Sequence, residues 1–187
     1  MRILGLHATG HDSGAALLAG DELVAIGQER LSRVKNDGTF PARAIAHVLA
    51  GEPLTGIDLV VCDVSDGETA RARAALTAAG YAGEVLLIEH HLAHAASAHF
   101  VAPDDGAAIL VVDAGGTRVA EWPPDQPPPA SFPGGAADQE LQSFYLARGR
   151  RLERLHGTWS RPGMRLGIGW LYALVTLHLG FGPLDAG

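Results

Sequence analysis

Three short apolar runs, RILGLHA (2–8), GAALLAG (14–20) and ELVAIGQE (22–29), stand so close together that only tight turns fit between them. Runs of this kind, joined by TGHDS and by Gly20-Asp21, read as three antiparallel strands. After DGTFP the pattern alternates. ARAIAHVLA has helical spacing, IDLVVCDV (57–64) is a continuous apolar run of the kind buried on both faces, and ETARARAALTAAG reads as a helix closed by Gly80. EVLLIE (84–89) is a strand, HHLAHAASAHF a helix and AAILVVDAGG (107–116) another strand. Two hairpin turns followed by strand–helix alternation predict an α/β fold on a mixed sheet, its first three strands antiparallel and later ones parallel.

From Trp122 the character changes. WPPDQPPPASFPGG holds six of the eleven prolines, so it cannot pair as a central strand and reads as a loop or excursion. LQSFYLARGRRLERLHGTW fits either a hairpin turning at Gly149-Arg150 or a helix. MRLGIGWLYALVTLHLGF predicts a mostly apolar helix of about 15 residues, too short and too glycine-interrupted to span a bilayer and therefore expected to be buried by packing. These shifts divide the chain into 1–117, a Pro-rich stretch 118–140, and 141–187 as the start of a second subdomain that halts abruptly at GPLDAG.

The 187 residues, 47% hydrophobic and 19% charged, suit one domain with a real core or a domain and part of the next. No uninterrupted apolar stretch is long enough for a membrane helix, and MRILGLHATGHD reaches His and Asp too early for a signal peptide, so the expected location is the cytoplasm. Cys62 is the only cysteine, which excludes an internal disulfide and a thiolate-cluster metal site. Any metal must use His and carboxylates. The net charge of −7 argues against non-specific nucleic-acid binding, because phosphates are held mainly by Lys and Arg. A small polar substrate is the better expectation.

Three constellations carry chemistry. His90 and His94, four apart on a predicted helix, project from one face directly after the strand VLLIE, where α/β proteins place ligands. The pair reads either as two imidazoles offered to one divalent ion or as a polar helix face. Asp113, ending the next predicted strand, offers a third ligand at the same sheet edge, and a carboxylate beside two imidazoles suits iron, manganese or zinc. In LHATGHDSGAALL, a turn rich in Gly, Ser and Thr is either an anion cradle of backbone N–H groups or an ordinary polar turn. His11 there is a candidate general base, with Asp12 orienting it or facing solvent. In QERLSRVKNDGTFP, Arg30, Arg33 and Lys35 form either a phosphate site or a solvated basic face. His91 and His99 point away from the pair and are given supporting or surface roles; His47, His156, His178 and Cys62 show no partner and read as structural.

Taken together and in this order, GLHATGHDSGAALL, QERLSRVKNDGTFP, EHHLAHAASAHF and ILVVDAGG closely resemble the N-terminal half of the NodU/CmcH family of O-carbamoyltransferases, over about residues 1 to 117. GIGWLYALVTLHLGFGPLDAG resembles the family's following helix. The resemblance implies an actin-like ATPase (ribonuclease H-like) fold, similar to the tRNA threonylcarbamoyl transferase subunit. It further implies a YrdC-like C-terminal domain that makes carbamoyl-adenylate from carbamoyl phosphate and ATP. The carbamoyl group then passes to a hydroxyl of an antibiotic or sugar with the help of a bound iron. By motif, His90, His94 and Asp113 correspond to metal ligands and His11 to the base. Asp12, Ser13, Arg33, Lys35, Gly115 and Gly116 correspond to the surroundings of the adenylate. The family's remaining metal carboxylate, the second half of the actin-like fold and the YrdC-like domain are expected beyond residue 187, so these residues are not expected to complete the reaction alone. Two other readings compete: an actin-like kinase or ATPase with HDSG as its phosphate loop, which leaves His90 and His94 unexplained, and a non-catalytic module of the same fold.

Overall fold

The computed structural model describes residues 1–8, 10–64, 69–102, 104–123, 126, 135–161 and 167–182. The chain forms two compact units, Met1–Ile88 and Glu89–Gly187. Residues 124–125 and 127–134 of the Pro-rich stretch and 183–187 of the terminal GPLDAG lie outside the described residues.

In the first unit, β1 (Arg2–His7), β2 (Gly14–Ala19) and β3 (Glu22–Gly27) pair antiparallel, with Arg2 opposite Ala19 and Gly14 opposite Gly27. β4 (Leu59–Val64) then runs parallel to β1, Leu6 opposite Cys62, and β5 (Val85–Glu89) completes a five-stranded sheet in the order β3-β2-β1-β4-β5. The mixed sheet predicted from the apolar runs is the one observed. Alternate residues of β1 and β2 bury Leu4, Leu6, Ala15 and Leu17 on one face, where they meet Ile45 and Val48 of α2 (Ala42–Val48), Val60 and Cys62 of β4 and Leu76 of α3 (Thr69–Ala78).

The apolar run carries the third predicted strand through Glu29, but the strand stops at Gly27 and Gln28–Ser32 forms a short helix, α1. The reason is local: Gln28 is buried, and its Oε1 accepts the Ala44 N–H at 3.0 Å. That bond satisfies an orphan donor in the first turn of α2, which Pro41 at the cap position cannot serve with a side chain.

In the second unit, α4 (His90–His99) packs on an antiparallel sheet of β6 (Gly106–Val112), β7 (Gln139–Arg148) and β8 (Arg151–Ser160). The segment whose sequence fits either hairpin or helix forms a hairpin, with Gly149 at φ 54° in its turn. β6 departs from expectation. It ends at Val112 and pairs antiparallel with β7 in this second sheet instead of joining the first as a parallel strand, so residues 106–112 belong with β7 and β8. The compact units accordingly divide after Ile88, whereas the composition places a division after residue 117.

The last helix, α5 (Ile168–His178), is 11 residues long and differs most from its reading. Only Thr176 is buried along it, while Leu171, Tyr172 and Leu174 are exposed; hydropathy alone does not provide the facing layer that would bury it. No described helix is long and apolar enough to cross a membrane.

Candidate metal centre and its surroundings

The apolar strand VLLIE delivers Glu89 to the cap position of α4, and the His90 N–H, an orphan donor of the first turn, is taken by Thr117 Oγ1 at 2.8 Å. With that turn anchored, the four-residue spacing places the His90 and His94 rings edge-to-face, Nε2 to Nε2 at 3.1 Å. Asp113 follows β6, and its Oδ2 lies 3.0 Å from His90 Nε2 and 3.8 Å from His94 Nε2. Three ligand atoms therefore converge from one helix and one strand end. Tetrahedral bonds of about 2.0–2.1 Å set ligand atoms about 3.3 Å apart, so these separations fit one small divalent ion without rearrangement. Burial opposes ionisation of Asp113, but the His90 hydrogen bond and charge hold its carboxyl down to about 2, so it stands ready as a carboxylate.

The platform beneath this cluster was not legible in the sequence. His91, given a supporting or surface role, is completely buried, with Nδ1 2.7 Å from Ser143 Oγ. Burial pushes its imidazole down to about 3, so it is neutral. Ser143 Oγ accepts from Arg154 Nη2 at 2.7 Å, and Arg154 Nη1 meets Glu140 Oε1 at 2.5 Å. Glu140 Oε2 accepts the Thr117 N–H at 3.2 Å, closing the path back to the anchored turn. Tyr145 donates its hydroxyl hydrogen to Glu89. Burial, added to by the charge of Glu89, pushes the Glu140 carboxyl up to about 8 despite Arg154. The available signal was faint: Arg154 and Glu140 sit at inward positions of a hairpin whose very existence was open. His99 is also buried, its Nε2 2.7 Å from the Gly149 carbonyl oxygen.

Gly115 and Gly116 are explained by packing. A Cβ at Gly115 would meet the Gln139 side chain at 2.5 Å, and one at Gly116 would meet His91 Nε2 at 2.6 Å. Gly116 is buried, and its lack of a side chain lets residues 113–117 close over His91.

In the first unit, His11 is 65% exposed on the β1–β2 turn, its Nδ1 2.6 Å from Asp12 Oδ2, and Asp12 adopts a left-handed backbone at φ 58°. Of the open alternatives for Asp12, the structure has it against the imidazole. Ser13 is fully buried, its Oγ donates to the carbonyls of Thr39 (2.6 Å) and Asp37 (3.0 Å), and its N–H donates to Asp37, so it ties the turn to the loop. Arg33 and Lys35 are exposed; Arg33 ends α1 at φ 63°, and Lys35 Nζ lies 3.8 Å from Glu29, as does Arg30 Nε at 3.7 Å. Such exposed pairs contribute little and leave the cations reachable.

One pair in this unit escaped the sequence reading. His7 Nδ1 lies 2.9 Å from buried Asp63, and His7 Nε2 lies 3.0 Å from the His11 carbonyl oxygen. The parallel register that sets Leu6 opposite Cys62 makes His7 and Asp63 neighbours. The readable signal was one polar residue at the carboxyl end of each apolar run.

Residues 2–82 match the profile of the family described as carbamoyltransferase N-terminus. The uncharacterized protein sll1178 of Synechocystis sp. (strain ATCC 27184 / PCC 6803 / Kazusa) is 31% identical over 162 aligned positions, covering 64% of this chain and 26% of that protein. The chain thus spans about a quarter of the length of that relative. Among solved structures, YeaZ from Pseudomonas aeruginosa is similar, with a TM-score of 0.50 and 13% identity over 89% of this chain and 69% of that one. At that identity the likeness speaks for fold alone, and the fold is the actin-like α/β type with its mixed five-stranded sheet. The residues matched to the carbamoyltransferase N-terminus profile, 2–82, are those that largely build the strand order β3-β2-β1-β4-β5.

Proposed function

We propose that this chain is the N-terminal portion of an O-carbamoyltransferase. It would help transfer a carbamoyl group from carbamoyl-adenylate, made from carbamoyl phosphate and ATP, to a hydroxyl of a natural product or sugar, as in antibiotic biosynthesis. The observation that carries this reading is the convergence of His90, His94 and Asp113 just after the segment matched to the carbamoyltransferase family.

In this reading His90 Nε2, His94 Nε2 and Asp113 Oδ2 hold a ferrous or other divalent ion, which when bound supplies Lewis acidity toward an oxygen of the mixed anhydride. Thr117, through the His90 N–H, keeps the helix turn that carries the first ligand in place. His11 takes the proton of the acceptor hydroxyl on Nε2, because Nδ1 is engaged by Asp12, which also orients the ring. Arg33 and Lys35, exposed on their loop, offset the charge of the departing adenylate.

The test is metal analysis of protein purified without chelators, followed by titration with Fe(II), Mn(II) and Zn(II). One ion per chain is expected, and His94→Ala, at a half-exposed position, should weaken binding about 100-fold while leaving the metal-free melting curve in place. A chain that binds none of these ions, or a substitution without effect on binding, sinks the reading at its centre.

A further inference from the structure

Within the second unit, Glu89, Leu92, Trp122, Gln126, Tyr145, Leu152 and Arg154 line a solvent-open recess of about 300 Å³, at the small end of ligand sites. Its walls are unlike an ordinary packing defect. Trp122 and Tyr145 supply aromatic surface, with the Arg154 guanidinium carbon 5.4 Å and 5.9 Å from their ring centroids. Two polar side chains of the wall are incompletely satisfied among the described residues. Glu89 is 4% exposed, and although Tyr145 donates to its Oε1, its Oε2 has no hydrogen-bond partner. Arg154 spends Nη2 on Ser143 and Nη1 on Glu140, with Glu89 Oε1 also within 3.8 Å of Nη1, but its Nε–H is buried and has no hydrogen-bond partner among the described residues.

A buried acceptor and a buried donor left open cost free energy unless something fills both. The occupant that fits must donate to Glu89 Oε2, accept from Arg154 Nε, and present a flat face to Trp122. A cation satisfies the carboxylate and is repelled by the guanidinium; a carboxylate does the reverse. A neutral group carrying N–H beside C=O serves both with no buried charge left over. We propose that this recess is a binding site for a small planar carboxamide, lactam or urea. The site uses none of the three candidate metal ligands, and the proposal does not rest on the transfer reaction.

The test uses the whole chain with chelator present, so that metal binding plays no part. Benzamide is titrated against it, with acetophenone, which lacks the N–H, and benzoate, which adds a charge, as matched probes. The readouts are quenching of tryptophan fluorescence, to which Trp122 and its neighbour Trp159 at 5.6 Å contribute, and chemical shifts. Benzamide should bind saturably and at least about tenfold more tightly than either probe, the difference expected for leaving a buried charged group unpaired. Glu89→Gln should erase that preference. Leu152→Phe, which fills the recess, should abolish binding with an unchanged circular dichroism spectrum, and it carries the test if the Glu89 variant does not fold. Equal binding of all three probes, or none by a folded protein, overturns the proposal; in the second case water alone serves the two groups.

Discussion

The turn that carries His11 and the turn that carries His90 are both short polar segments at the end of an apolar strand, yet the two units treat them differently. His11 and Asp12 meet through sequence adjacency on an exposed turn, and the fold supports them from behind through buried Ser13. His90 rests on Thr117, Glu140, Ser143, Arg154 and His91, most of them drawn from other elements and nearly all removed from water. The first arrangement is cheap to form and free to move. The second is preorganised by a charged network whose members depend on one another.

That contrast breaks most readily at Arg154. Replacing it by Leu leaves Glu89 buried without its cation and Glu140 without its hydrogen-bonding partner, and a loss of about 3–5 kcal/mol in unfolding free energy is expected by urea denaturation, confined to the second unit. The first unit has a steric counterpart in the loop behind His11. A Cβ at Gly38 would sit 1.9 Å from the Gly10 carbonyl oxygen, backbone that cannot swing aside, so Gly38→Ala should cost about 3 kcal/mol and displace the turn. Chemical shifts of the His11 ring would report the displacement.

Smaller effects sharpen the comparison through pH. The Glu140 carboxyl is raised from 4.5 to about 8 in the folded chain, so between those values the folded state holds a proton that the unfolded chain has released. Its contribution is complete below pH 4.5 and is lost as pH rises to about 8. The difference in stability between the wild type and Glu140→Gln, which cannot titrate, should therefore change with that sign across that window; a flat difference would mean that Glu140 ionises normally. Smallest of all, His11→Ala should change stability by no more than about 0.5 kcal/mol, because the ring is mostly in water, and a larger loss would place the turn in the same class as the second site.

Much of the fold was legible because its signals are local. Three apolar runs with tight turns between them determine an antiparallel start, and the run around Val60 announces a strand whose Val60 and Cys62 are fully buried. The His90–His94 pair of the candidate site was legible for a similar reason: a spacing of four fixes two imidazoles on one helix face before any packing is known. The failures share a cause too. β6 carries the apolar pattern of an interior strand but pairs antiparallel with β7, and nothing within 106–112 names its partner. α5 reads as a core helix because hydropathy records only what a segment could bury, not whether a surface faces it. His91 looked like the weaker histidine beside His90 until the backbone at Gly116 packed against it.

By itself the sequence determined most strand and helix types of the first unit, the two-imidazole face of α4, the family profile that residues 2–82 match and the lack of any thiolate chemistry beyond Cys62. These depend on periodicity, spacing and composition, which act over a few residues. Only the tertiary structure decided that Asp113 reaches His90 from the end of β6, that Asp63 lies beside His7, and that Glu140, Ser143 and Arg154 build the floor under α4. Those contacts join residues 11 to 56 positions apart, and a pairing across such distances is set by strand register and burial, which no local pattern encodes.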